Sequence, residues 1–218
     1  MFVEIWSDIA CPWCYIGKRH FEAALGEFEH ADEVEVIWRA YELDPSTPAE
    51  VEGSGPEILA KKYGMTLEQA QAAQERITQV AAEAGLDYHL DRSRMGSTFD
   101  GHRLVHLAGL HGLADAAKEQ LFRARFVDGQ LIADPDTLLG AAVEVGLEEG
   151  AVREMLASDR FAAEVRADEE TARQLGITGV PMFVIDRQFG MSGAQPAESL
   201  LEFLRHGWAH RPAPVQAH

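Results

Sequence analysis

The 218-residue chain carries two cysteines, Cys11 and Cys14, both within the stretch Cys11-Pro12-Trp13-Cys14. Sulfur at that spacing suits three fates: cycling between dithiol and disulfide, half of a tetrahedral zinc site, or two inert thiols. A static staple is the weakest use, because so short a loop gains little closure entropy from cross-linking. Redox cycling needs one sulfur held as thiolate. A cysteine at a helix N-terminus faces unpaired backbone N–H groups and the positive end of the macrodipole, and both favour the anion. Cys11 is placed to be that nucleophile. Cys14, one turn further in, is placed to resolve the mixed disulfide. Pro12 falls in the first turn, where a missing N–H costs nothing, and Trp13 offers a broad apolar surface beside the sulfur. Zinc would need two more ligands. Only His20 and His30 lie near the pair in sequence, and His102 and His106, four residues apart, form a chelating candidate whose bland alternative is packing. No metal is expected.

These residues need elements to hold them. Residues 2–6 alternate in the manner of a strand, a helical pattern runs from about Cys11 to Glu29, and alternation returns from Glu33 to Leu43. Asp44 to Glu57 is rich in Pro, Gly and Ser and reads as a linker. From Ile58 to about Leu156 the pattern is helical throughout. Thr66 with Gln69 forms a capping box, Ser97 or Thr98 is a cap, Asp134 precedes Pro135, and Gly85, Gly112, Gly129 and Gly146 act as stops. A further helix ends at Gly176. Two strands follow, then a last helix with Pro196 near its start. A Val180-Pro181 pair just ahead of a strand suits a cis bond, and the loop it makes would face the first helix's N-terminus in a β-α-β…α-β-β-α layout. The Val180 backbone could then pair with an extended substrate segment.

The expected fold is α/β: a mixed four-stranded sheet flanked by helices, with a large all-helical insertion. Residues 1–48 and 157–208 are expected to build the sheet domain, 56–156 the insertion, and 209–218 a disordered tail. Three further places carry two readings each. Glu4 is a proton relay beneath Cys14 or, the favoured reading, an exposed strand-face residue. Phe99, His102 and His106 line a substrate cleft or belong to a capped, packed helix. The segment Gly190–Pro196 offers backbone N–H groups to the site or is a tight turn at Gly193.

A net charge of −17 argues against nucleic acid, which clustered Lys and Arg would mark, and against an anionic membrane surface. No apolar run approaches the roughly 20 residues of a membrane span. With apolar Phe2–Trp6 and then Cys11 so near the first residue, no secretory leader is expected, and a cytoplasmic protein is expected.

Cys11-Pro12-Trp13-Cys14 and Thr178-Gly179-Val180-Pro181 in this layout resemble the DsbA-like thioredoxin-fold oxidoreductases. The stretches "EIWSDIACPWCYIGK", "ELDP", "STFDGHRLVHLA", "RADEETARQLGITGVPMFVID" and "SGAQP" resemble the FrnE-like branch, which is related to 2-hydroxychromene-2-carboxylate isomerases and kappa-class glutathione transferases. The resemblance implies a thioredoxin fold, a redox pair at Cys11 and Cys14, and a cis-proline at Pro181. Pro12, Trp13, Val180 and Pro181 would meet substrate, with Phe99 and His102 as further contacts. The isomerase and transferase relatives typically carry Ser in place of the first cysteine and bind glutathione. Cys11 together with Cys14 favours dithiol exchange instead. The motif centre is Pro-Trp and not Pro-His, and Trp13 cannot stabilise a thiolate by charge. The expected function is thiol–disulfide exchange on a disulfide-containing protein or small thiol, with no resident cofactor and glutathione as a redox partner or cosubstrate. The alternatives are a glutathione-dependent isomerase or transferase acting on a small aromatic, and a non-catalytic chaperone-like binding module.

Overall fold

The computed structural model describes residues 1–211. At its centre is a strand buried on both sides. In β1 (Phe2–Ser7), Val3 and Ile5 point to one face of the sheet and Glu4 and Trp6 to the other, and every residue after Phe2 is buried. β2 (Glu35–Ala40) runs parallel to β1, while β3 (Met182–Ile185) is antiparallel to β1 and β4 (Phe189–Ser192) antiparallel to β3. The order is β2-β1-β3-β4, the mixed four-stranded sheet expected. Its parallel pair is joined by α1 (Pro12–Gly26), as a parallel connection requires.

α1 and α9 (Ala197–Ala209) cover the face that carries Ile5 and Phe183, where Phe21 of α1 stacks on Phe183 at 5.5 Å. α8 (Ala162–Gln174) covers the other face, and the Trp6 indole N–H donates to the Asp168 carbonyl at 3.0 Å. The expected first helix is shorter in fact and ends at Gly26, because Ala31–Glu33 form a 3₁₀ turn that feeds β2. β2 ends at Ala40, short of Leu43. There the backbone leaves the sheet, and the Leu43 N–H turns to the Asp8 carboxylate at 2.8 Å. α9 takes in Ala209, which was expected in the tail, and His210 caps it; residues 212–218 lie outside the described part.

Between β2 and α8 come α2 (Gly55–Tyr63), α3 (Leu67–Glu83), α4 (Phe99–Gly109), α5 (Ala114–Phe126), α6 (Pro135–Glu144) and α7 (Glu149–Leu156). Thr66 and Gln69 make the reciprocal capping box, and Asp134 accepts from the Asp136 N–H at 3.0 Å. Thr98 occupies the cap position of α4 but gives its hydroxyl elsewhere, to Asp8. This helical block shares its apolar core with the sheet: one continuous buried cluster runs from Val3 and Ile5 through Cys14 and Tyr15 to Leu104, Phe122 and Met155. None of the described helices is long and apolar enough to cross a membrane.

Candidate active site

The β1–α1 loop delivers both sulfurs. Its turn is closed by the Cys11 N–H donating to the Asp8 carbonyl at 3.1 Å and the Cys14 N–H donating to the Cys11 carbonyl at 3.0 Å. Cys11 is the N-cap of α1, with extended backbone (φ −91°, ψ 113°) and no side-chain cap bond, so its sulfur stands at the helix N-terminus, the positive end of the macrodipole. Both cysteines are free thiols. Cys11 keeps 5% of its surface exposed, and Cys14 lies fully behind it.

The Val180–Pro181 bond is cis, and the Val180 carbonyl stands 3.6 Å from the Cys11 sulfur. The approach depends on Gly17, one and a half turns into α1. A Cβ there would lie 2.9 Å from Cγ of Pro181, so any larger residue would push the proline loop away from the helix. The loop is tied from its other side by the Gly193 N–H, which donates to the Pro181 carbonyl at 2.8 Å. Gly193 has φ +85°, so the Gly190–Pro196 segment is the tight turn of the second reading, and it buttresses the proline loop. Trp13 is the exposed member of the motif, at 38%, while Pro12 and Val180 are half-buried and Pro181 is buried.

The helical block reaches into the site. Tyr88 donates its hydroxyl to the Pro12 carbonyl at 2.7 Å and so pins the motif from outside the sheet domain. Tyr15 stacks on Phe122 at 5.0 Å, and Tyr88 on Phe126 at 5.0 Å, which extends an aromatic layer from α1 into α5. Asp8 is buried beneath the loop. Its carboxylate accepts from the Ala10 N–H (3.0 Å), the Leu43 N–H (2.8 Å) and the Thr98 hydroxyl (2.7 Å). Burial works against that charge, but His102 and the two backbone N–H groups outweigh it and hold the carboxyl below its ordinary range. Burial, followed by the hydrogen bond and charge of Cys11, pushes the Cys14 thiol well above its ordinary value.

The remaining residues singled out from sequence lie elsewhere. His102 is buried, with its Nε2 3.5 Å from Asp8, so it faces the interior and not a solvent-facing substrate. His106 turns to a different carboxylate, Asp168, at 3.0 Å; the two histidines do not converge. Phe99 is half-buried under the Arg166 guanidinium at 4.4 Å. Glu4 is neither exposed nor beneath Cys14. It lies on the α8 face of the sheet, opposite α1, clamped by Arg39 and Arg187 at 2.9 Å each. Sequence reasoning missed Gly17, Tyr88 and Asp8. One of these left a trace: Gly17 is a glycine inside an apolar helix pattern.

A thioredoxin sheet with a Cys-x-x-Cys at the head of its first helix and a cis-proline opposite defines the class. The family model for the DSBA-like thioredoxin domain matches residues 2–205, and the chain belongs to that family. It is 47% identical to a probable DsbA oxidoreductase from Streptomyces coelicolor, whose crystal structure superposes with a TM-score of 0.93 over 100% of this chain and 94% of that one. It is 28% identical to the uncharacterized protein YwbO of Bacillus subtilis over 84% of this chain and 86% of that protein. The cytosolic disulfide reductase DsbM from Pseudomonas aeruginosa, solved with GSH, shares the fold at 19% identity and a TM-score of 0.67, covering 96% of this chain and 100% of that one. A 2-hydroxychromene-2-carboxylate isomerase shares it at 14% identity and a TM-score of 0.68, over 96% and 95%. The family supports an enzyme of the thiol–disulfide oxidoreductase class.

Proposed function

We propose that the protein exchanges disulfides through Cys11 and Cys14. The observation that carries this reading is the Cys11 sulfur at the N-terminus of α1, 3.6 Å from the Val180 carbonyl, with Cys14 buried one turn behind it. The Cys11 thiolate attacks one sulfur of a substrate disulfide, whose S–S bond breaks as the other sulfur leaves and takes up a proton. Cys14 then attacks Cys11, the Cys11–substrate bond breaks, and the Cys11–Cys14 bond forms. Two electrons have passed to the substrate, and the same steps reversed oxidise a dithiol. Because so little of Cys11 is open, the substrate presents its disulfide on an extended segment. That segment lies along Val180 and Pro181 and rests against Pro12 and the exposed face of Trp13. Phe99 and His102 are not assigned to substrate.

No resident cofactor is part of the proposal. A small thiol such as glutathione resets the pair, and the setting is the cytosol, where reduced thiols persist. The neighbour described as a cytosolic reductase with GSH supports this choice by fold alone. Redox titration of the Cys11–Cys14 couple against glutathione, run beside an insulin-reduction assay, tests the reading. Cys14→Ser is expected to accumulate a mixed disulfide on non-reducing gels and to abolish turnover. A glutathione-dependent isomerase would keep its activity in that variant, and an inert pair in the native chain would end the oxidoreductase reading.

A further inference from the structure

The Cys-Pro-Trp-Cys motif carries no charged side chain beside its nucleophile, so the backbone of the first turn of α1 is what the motif itself offers a thiolate. Pro12 contributes no N–H, and the Cys14 N–H is bonded to the Cys11 carbonyl at 3.0 Å. The Trp13 N–H has no acceptor among the described residues. It is the donor that the turn leaves open at the end of the helix where Cys11 stands.

The other end of that same peptide unit is the Pro12 carbonyl, which accepts the Tyr88 hydroxyl at 2.7 Å. Tyr88 comes from the helical block, 76 residues along the chain from Pro12. It is 3% exposed, and its ring is held by Phe126 at 5.0 Å and Tyr15 at 6.1 Å. Its hydroxyl has no second partner among the described residues. A phenylalanine would fill the same space without a buried hydroxyl to satisfy, so packing alone does not call for the oxygen.

We propose that Tyr88 is a positioning residue for Cys11: by bonding the Pro12 carbonyl it fixes and polarises the Pro12–Trp13 peptide, so that the Trp13 N–H favours the Cys11 thiolate more strongly. The inference rests on the exchange reading above and names a residue that tunes the nucleophile from outside the sheet domain. A hydrogen bond accepted at a peptide's carbonyl draws electron density from its nitrogen and makes the N–H a better donor, and a desolvated site strengthens the effect. The titratable groups that face Tyr88 are Cys11, Cys14, Tyr15 and Arg19, from α1 and its cap, and Arg19 is itself held by Glu22 and Glu119. Burial, followed by the charge of Cys11, holds the Tyr88 phenol well above its ordinary range, so it remains a donor while a thiol titrates. The thiolate belongs to the reduced form of the pair. A residue that favours it shifts the balance toward the dithiol and makes the Cys11–Cys14 couple a stronger oxidant.

The test is the pH profile of Cys11 alkylation by iodoacetamide in a Cys14→Ser background. It compares intact Tyr88, Tyr88→Phe, and a ring-fluorinated tyrosine at position 88, which is a stronger donor of nearly the same size. Tyr88→Phe is expected to displace the profile to higher pH, with alkylation about threefold slower on the rising limb and close to the native rate on the plateau. The fluorinated ring is expected to displace it to lower pH. With both cysteines present, Tyr88→Phe is expected to move the equilibrium with glutathione about threefold toward the disulfide form. A merely structural role predicts no opposite displacements, because lost packing would slow limb and plateau alike. A profile unmoved by Tyr88→Phe, or moved the same way by both replacements, overturns the inference. If Tyr88→Phe does not fold, the fluorinated chain decides: displacement to lower pH supports the inference, and an unmoved profile ends it. A native chain whose cysteines form no disulfide at any glutathione ratio would instead defeat the exchange reading itself.

Discussion

Lys18 and Lys118 are both sealed from solvent, at 2% and 1% exposure, yet they end in opposite electrostatic states. Lys18, on α1, sits among Glu22, Asp115 (3.3 Å) and Glu119 (3.0 Å), and although burial opposes its charge, those three carboxylates raise its value above the ordinary one. Lys118 has a single carbonyl and two ring faces, and burial pulls it down to about 8. Burial is common to both and therefore decides nothing. What decides is the partner set: compensated, a buried lysine is a structural cation, and uncompensated, it becomes a titrating base.

The largest effect that tests this contrast is in the pH dependence of stability. The folded value of Lys118 lies below the ordinary 10.5, so between about pH 8 and 10.5 the unfolded chain binds more protons and stability rises with pH. Urea melts of the native chain and Lys118→Met are expected to show the native chain gaining on the variant by about 3 kcal/mol across that window. At pH 7 the variant should be at least as stable as the native chain. Lys18 carries the opposite sign: its contribution is intact at pH values below 10.5 and is lost only as pH climbs past its raised folded value. Next in size, Lys18→Met leaves three carboxylates facing one another and is expected to cost about 2 kcal/mol at pH 7, read as a lower urea midpoint at unchanged m. If Lys18→Met were harmless and Lys118→Met costly, partners would not be what separates the two lysines. The smallest effect concerns the proline loop. Gly17→Ala gains helix propensity but drives a Cβ against Pro181, for a net loss of about 1 kcal/mol in thermal unfolding. Its insulin-reduction rate should fall by more than that loss in stability explains, because the Val180 carbonyl is displaced from Cys11.

The same lesson separates Glu4 from Asp8, four residues apart in the chain. Strand alternation sends Glu4 to the α8 face, where Arg39 and Arg187 receive it. Asp8, in the loop just after β1, is enclosed by Ala10, Leu43 and Thr98, which come from three separate stretches of chain. From sequence, Glu4 is the more conspicuous acid, and Asp8 draws no notice. Alternation in β1 puts Glu4 and Trp6 on one face, but which face that is, and that it is covered, depended on α8, more than 150 residues later.

What could be read without coordinates was local or periodic. The two-residue alternation of the strands, the capping box at Thr66, the glycine stops and the Cys-Pro-Trp-Cys motif all state their physics within a few neighbouring residues, and so does a proline set before a strand. Tertiary structure alone decided which charges were compensated. It placed Gly17 under Pro181, the Tyr88 hydroxyl on the motif's backbone, and a lysine from the helical block on the Ser7 carbonyl, more than a hundred residues away. Those outcomes depend on desolvation and on distances between segments that a one-dimensional pattern does not contain.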